Sequence, residues 1–279
     1  MKGFVNLGNT CYMNSAVQLL LNIPEFCNIV LNNYQKSNEL TKLKKFIIKY
    51  HNPNKGILKP DFIKQIASNR NNIFSGFSQE DSWEFLIFFL DFLDNQIKNN
   101  VINTISGVKL RTIIKCKIKL CQNVSITKNT ELFLILELKK EFKNLNECYR
   151  NYKNREKLIE DNKYYCDKCK QKIIASKRTE IEEWPKNLLI VLKRFEQNGY
   201  SLRKNNQVID CPQNWRHGYK LKGGIYHSGS LNGGHYVYFG FNNNNWYLFN
   251  DTTVSQINKN DFYKIKNRAY ILYYRKENN

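Results

Sequence analysis

The first third of the chain repeats its apolar residues at helical spacing. Met13, Ala16, Val17 and Leu20 fall on one stripe after Asn9-Thr10-Cys11, which predicts a helix with Cys11 at or near its N-terminus. Pro24 ends that helix, because the residue before a proline is pushed out of helical geometry. Residues 40–70 read as further amphipathic helix, broken by Pro53, Gly56 and Pro60. Ser78-Gln79-Glu80-Asp81 has the form of a capping sequence, and Trp83 to Leu93 is apolar nearly all round, as in a buried helix.

The spacing changes after Gly107. Leu132–Leu138, Leu188–Arg194, Tyr219–Tyr226, His235–Phe241, Trp246–Phe249 and Ala269–Tyr274 are short β-rich runs separated by Gly, Asn and Pro. Helices come first and strands follow, which predicts an α+β fold over alternating βαβ units. No internal repeat is present, and Asn242–Asn245 reads as a turn between two strands.

Composition narrows the function. At 279 residues with 42% hydrophobic and 14% aromatic side chains, the chain can bury a sizeable core and is far from a disordered composition. No apolar run reaches the ~18–20 residues needed to cross a bilayer, and the N-terminus lacks the pattern of a secretory signal. The protein is read as intracellular, cytoplasmic or nuclear, with no membrane partner. Its eight cysteines are then thiols, metal ligands or a nucleophile in preference to disulfides. The formal charge of +20 invites a nucleic-acid reading, but the lysines are spread along the chain with no glycine-arginine tract. Solvated surface is the preferred reading, also for the cluster Lys42, Lys44 and Lys45, whose alternative is a nuclear address.

Two residues carry candidate chemistry. A cysteine at a helix N-terminus meets the positive end of the helix dipole, which favours thiolate, and Asn6 and Asn9 upstream offer amide donors for an oxyanion. His235 follows Gly233-Gly234 at the start of a strand, and paired glycines let a neighbouring cleft stay open. If the run Trp246 to Asp251 pairs with the His235 strand, Asn250 or Asp251 can receive the imidazole N–H and fix its tautomer. The order Cys, His, Asn is that of papain-like enzymes, although the local signature is not papain's own.

Gly3 to Ser15 resembles the cysteine box of the ubiquitin-specific proteases. Tyr226-His227-Ser228-Gly229, Gly233-Gly234-His235-Tyr236 and Trp246 to Asp251 resemble that family's histidine box. Gln79 to Phe85 resembles its glutamine-rich box, with Glu80 where a second Gln is commoner; Trp184-Pro185, Leu189 to Phe195 and Ala269 to Tyr274 resemble its later strands. The resemblance spans nearly the whole chain in family order. It implies a papain-like fold of the ubiquitin-specific protease type in one catalytic domain: a helical thumb over about 1–105, β fingers over about 106–185 and a β palm over about 186–279. On family position Cys11 attacks the carbonyl of ubiquitin's C-terminal glycine, His235 takes the thiol proton, Asn250 is the third residue with Asp251 sharing or replacing it, and Asn6 stabilises the oxyanion. Gln79, Asp81 and Glu84 line the path of the ubiquitin tail, whose arginines need acidic partners, and Gly233 and Gly234 wall its narrow end. Helix capping is the structural alternative for Asp81 and Glu84. His227, eight residues before the base, supports the site.

Tyr165-Cys166-Asp167-Lys168-Cys169 is a zinc knuckle pattern, whose natural partner is Cys116 with Cys121. The resemblance implies the same structural Zn²⁺ in the fingers, with a first pair reading C-x4-C where C-x2-C is usual. A finger that has lost its metal is the alternative, and Cys27, Cys148 and Cys211 are left as structural thiols. The function expected is a thiol hydrolase of ubiquitin conjugates, monomeric, with ubiquitin or ubiquitinated proteins as partners. The alternatives are a ubiquitin-binding module without turnover and a basic zinc-containing nucleic-acid binder. A similar modifier ending in Gly-Gly is an alternative substrate.

Overall fold

Pro24 ends one helix and begins the next. In the computed structural model, which describes residues 1–54, 56–98, 100–198, 201–230 and 233–277, α1 (Cys11–Leu21) stops before it and α2 (Pro24–Asn33) places it in the first turn. That position suits a residue with fixed φ and no N–H. Ser37 caps α3 (Asn38–His51) through the Leu40 amide, and Pro60 precedes α4 (Asp61–Arg70). Asp81 caps α5 (Ser82–Ile97), which is followed by α6 (Val101–Ser106). The break in the amphipathic pattern over 53–60 becomes a turn and the short strand Ile57–Leu58, parallel to Gly3–Phe4.

All eleven residues of α1 are buried, among them Asn14, Ser15 and Gln18. Buried amides need partners. Gln18 donates to the Lys2 carbonyl and accepts from the Tyr50 hydroxyl, and Asn14 donates to the Asp251 carboxylate. The helix is therefore wedged between α5 and the inner face of a large sheet.

That sheet has eight strands. Its path runs Thr253–Gln256, Asn245–Asn250, Gly234–Asn242, Tyr219–Gly229, Ala269–Lys276, Asn187–Leu192 and Leu134–Leu136, with Asn214–Trp215 paired to Tyr219–Gly229. Every pair is antiparallel except the last on the path, where Ile190 sits opposite Leu134 in parallel. One face packs on the helical half; the other buries a second core with α7 (Leu145–Tyr152) and α8 (Lys259–Lys266). A separate four-stranded sheet, ordered Val124–Glu131, Val108–Cys116, Ala175–Glu183 and Glu156–Leu158, projects from this body. Leu134–Leu136 and α7, inside the 106–185 stretch, belong to the large sheet and its second core instead.

The chain start is tied to the far end of the sequence. The Phe4 amide donates to the Asp251 carbonyl at 2.7 Å, and Gly3 crosses directly over the Asp251–Thr252 turn. A Cβ on Gly3 would lie 2.6 Å from the Asp251 carbonyl oxygen and closer still to that of Thr252, both unyielding backbone. Gly3→Val is expected to cost about 2–3 kcal/mol of unfolding free energy in a urea titration, as overpacking against rigid neighbours does.

Candidate active site

Two consecutive left-handed residues, Gly8 (φ 99°) and Asn9 (φ 53°), turn the chain sharply into α1. Glycine adopts that region freely and asparagine tolerates it, so the sequence supplies the residues that this turn needs. Asn6 Oδ1 accepts from the Gly8 and Thr10 amides at 3.1 and 3.0 Å, closing the loop on itself. The Thr10 hydroxyl is drawn into this loop, accepting from the Leu7 amide and donating to Asn6, so α1 has no side-chain cap. Its first-turn amides are left for whatever sits beside Cys11.

His235 stands at the start of Gly234–Asn242, opposite Ser228. Its Nε2 lies 2.6 Å from Asn250 Oδ1, which acts as acceptor when Nε2 carries the proton. Cys11 lies close enough to the ring to dominate its titration. The neighbouring Cys11 is the main influence that lifts the imidazole to about 9; burial opposes it, and Asn250 and the Asp251 carboxylate assist. Cys11 is thus brought to His235 and Asn250, more than two hundred positions later, at the contact between helices and sheet.

Asp251 does something different from Asn250. It adopts φ 47° and turns its carboxylate away from His235, accepting from Asn6 Nδ2 at 2.8 Å and from Asn14 Nδ2 at 2.7 Å. Asn250 is the imidazole's direct partner, and Asp251 acts on it only through its charge. Asn14 lies inside the cysteine box, three residues after Cys11, and was not singled out from sequence. The signal available was a polar residue on the inward stripe of a helix.

The glutamine-rich stretch spans the two walls. Asn9 Nδ2 donates to the Phe77 carbonyl at 2.8 Å, and Gln79 Oε1 accepts from the Gly234 amide at 2.7 Å. Asp81 is consumed locally: its carboxylate accepts from the Trp83 and Glu84 amides and from the Tyr270 hydroxyl, at 2.6, 3.2 and 3.0 Å. Burial pushes this carboxyl above its ordinary range, against the pull of the Trp83 amide. Helix capping thus describes Asp81, whereas Glu84 is exposed in the first turn of α5. Gly233 borders open space, and a Cβ on Gly234 would meet the His227 ring and, at 2.6 Å, the Ser228 carbonyl. His227 is buried against Tyr236 and Phe195, with ring centroids 4.4 and 5.4 Å away, and burial pushes it down to about 4. It is neutral at physiological pH and takes no part in the Cys11–His235 pair. Lys204, unforeseen from sequence, pins this hairpin by donating to the carbonyls of His227 and Gly229 at 3.0 and 2.8 Å.

The remaining cysteines divide in two. Cys116, Cys121, Cys166 and Cys169 have their sulfurs within 4.8 Å of one another, with Cys116–Cys169 at 3.9 Å and Cys121–Cys166 at 3.7 Å. These separations are far beyond a disulfide and close to the edge of a tetrahedron of thiolates about 2.3 Å from a central ion. Amides of Cys169 and Lys168 also point at the Cys166 sulfur and lower it to about 6, the Cys169 amide contributing most. The donor set therefore suits a metal ion. C-x4-C proves as serviceable as C-x2-C here, because residues 117–121 fold back in a tight turn in which the Cys121 amide donates to the Ile118 carbonyl. Cys27, Cys148 and Cys211 are buried, and desolvation pushes their thiols up to about 12, 11 and 12.

A helix that begins at a cysteine and lodges against an antiparallel sheet bearing an imidazole and its amide partner resembles the arrangement of a papain-like thiol hydrolase. Comparison with known proteins gives the family. The profile described as ubiquitin carboxyl-terminal hydrolase matches residues 2–274, and the chain belongs to that family. It is 30% identical to the probable ubiquitin carboxyl-terminal hydrolase 16 of Schizosaccharomyces pombe, over 99% of this chain and 66% of the relative. It is 24% identical to human ubiquitin carboxyl-terminal hydrolase 3, over 98% and 67%. The chain thus spans about two thirds of these relatives' length. Among solved structures it resembles a SAGA DUB module of Ubp8, Sgf11, Sus1 and Sgf73 bound to ubiquitin aldehyde, with TM-score 0.80, 26% identity, and coverage of 100% of this chain and 70% of that one. A further Ubp8 module, bound to monoubiquitin, matches with TM-score 0.80 and 27% identity over 100% and 69%.

The sign of the His235 shift gives a prediction. An imidazole raised from its ordinary value of 6.5 stabilises the fold fully below that pH and loses the contribution as pH rises through about 9. Its largest cause is Cys11, whereas burial acts the other way. In Cys11→Ala the His235 titration, followed by NMR of ¹³C-labelled histidine, is expected to move down; an unchanged midpoint contradicts the pairing.

Proposed function

We propose that this chain hydrolyses the bond that follows the C-terminal glycine of ubiquitin, with Cys11, His235 and Asn250 as its working groups. The observations that carry the reading are the His235–Asn250 hydrogen bond and the nearness of Cys11 to that imidazole, in a chain of the ubiquitin carboxyl-terminal hydrolase family.

His235 holds the thiol proton and Asn250 holds the ring at the angle that directs it to the sulfur. The Cys11 sulfur adds to the glycine carbonyl carbon, and the carbonyl oxygen takes the negative charge. That oxygen faces Asn6 and the uncapped amides at the start of α1. Asn6 Nδ2 has two N–H bonds; Asp251 takes one and orients the other, so Asp251 acts through Asn6. On collapse the C–N bond breaks and the lysine amine leaves with the proton from His235. Water then adds to the thioester, giving its proton to His235, and the free carboxylate and Cys11 thiol are regenerated. Glu84 faces solvent where the tail's arginines need acids, Gly233 leaves room for glycines at the end of the tail, and Gly234 lets the strand pass against the His227 ring. Asp81 shapes that wall by anchoring α5 to Tyr270.

The metal assigned to the four cysteines is Zn²⁺, a structural ion that supplies folding energy to a sheet with little core of its own and no chemistry at the thiol. Metal analysis of protein purified without added zinc is expected to give about one equivalent. Less than half an equivalent, or an unchanged content in Cys169→Ser, contradicts the assignment.

The test of activity is release of a fluorophore from the ubiquitin C-terminus. Cys11→Ala is expected to fall to background, and Asn6→Ala to lose about 10²–10³-fold in kcat, as removal of an oxyanion donor does elsewhere. Asp251→Ala is expected to follow Asn6→Ala, and the double variant to be little worse than either alone. Wild type no faster than Cys11→Ala overturns the hydrolase reading.

A further inference from the structure

The helix α3 carries exposed Lys45 and Lys49 near Ile48, which lines a cavity that has no part in the site described above, while Lys44 is turned onto the Tyr34 ring. The cavity encloses about 690 Å³ and is lined by Leu21, Pro24, Cys27, Leu31, Ile48 and Phe241. Its floor is apolar, with Leu21 and Cys27 buried, whereas Ile48 stands at the lip with 53% of its surface exposed. The His51 ring, 3.5 Å from the Cys27 sulfur, and the amides of Asn28 and Asn52 complete the rim. The size is that of a pocket that takes one or two bulky side chains.

Charge selects the occupant. Lys44 and Lys45 precede Ile48 by four and three residues on one face of α3, and Lys49 adjoins it. Among the described residues none of the three forms an ion pair. Glu25, in the first turn of α2, is committed to Arg275 and Lys186. We propose that this crevice docks an acidic peptide segment that inserts a bulky apolar side chain beside Ile48, with Lys45 and Lys49 meeting its carboxylates. A second copy of the chain is disfavoured, since each carries a net charge of +20. An anionic membrane is disfavoured by shape: lipid binding presents a raised apolar face, and this is a hollow.

The position gives such a partner a route to the chemistry. Leu21 ends the helix that begins at Cys11, about 15 Å along its axis, and Phe241 lies on the strand that begins beside His235. An occupant therefore touches both elements that hold the catalytic pair, from behind.

The experiment measures fluorescence anisotropy of a fluorescein-labelled acidic peptide, Asp-Glu-Asp-Leu-Phe-Glu-Asp-Glu, against the same peptide with Ser-Ser at its centre. Wild-type protein is expected to bind the first at least tenfold more tightly. Ile48→Glu and the pair Lys45→Glu, Lys49→Glu are each expected to weaken it tenfold or more, with unchanged thermal melting because all three side chains are exposed. Equal binding of the two peptides, or full binding by Ile48→Glu, overturns the proposal, because charge alone then explains the affinity. Absence of binding at about 100 μM peptide overturns it too. So does cosedimentation with phosphatidylserine vesicles that Ile48→Glu abolishes while the peptide fails to bind, or a dimer that Ile48→Glu dissociates. The readout is binding, so it stands or falls independently of hydrolysis.

Discussion

The carboxylate of Asp251 is the constraint on which the site depends. It accepts from Asn6 in the loop before the nucleophile and from Asn14 inside the nucleophile's helix, while its own carbonyl accepts from Phe4. These contacts join residues about 240 positions apart at the place where helices meet sheet. Asn250, one residue earlier, points the other way along the strand and holds His235. Asn250 ends the strand and Asp251 opens the turn after it with φ 47°, so one dipeptide holds the His235 ring with one side chain and the loop before Cys11 with the other.

Much of this was legible in the sequence, and the remainder was hidden for physical reasons. The apolar runs Leu188–Arg194, Tyr219–Tyr226 and Ala269–Tyr274 became neighbouring strands because a sheet covered on both faces needs continuous hydrophobic segments. The outer sheet left no such trace. Val124–Glu131 is exposed nearly throughout, and surface ion pairs such as Arg111–Glu180 and Lys128–Glu182 tie the strands of this sheet. Apolar periodicity reports burial, and Val124–Glu131 is scarcely buried, whereas Val108–Cys116 buries Val108, Leu110, Ile113 and Cys116 among charged neighbours. Motif order placed Cys11, His235 and Asn250, but whether Asn250 or Asp251 meets the imidazole depends on local backbone twist. The left-handed φ of Asp251 decides that, and one-dimensional spacing does not encode it.

The same contrast governs the four clustered cysteines. They occupy the one small core of the projecting sheet, with Ile173 and Ala175, and exposed ion pairs contribute little to stability on their own. With a metal bound as proposed, a ligand set drawn from two distant hairpins would do for this sheet what hydrophobic burial does for the body of the protein.

The burial of Cys27, Cys148 and Cys211 has a practical consequence for chemical probes. A thiol held at about 11 or 12 offers almost no nucleophile in neutral solution, and the clustered four are shielded whenever a metal claims their lone pairs. If Cys11 is the nucleophile proposed above, an electrophilic warhead would meet little competition from the other seven sulfurs, and the wild-type chain could be labelled at α1 without any cysteine being engineered away.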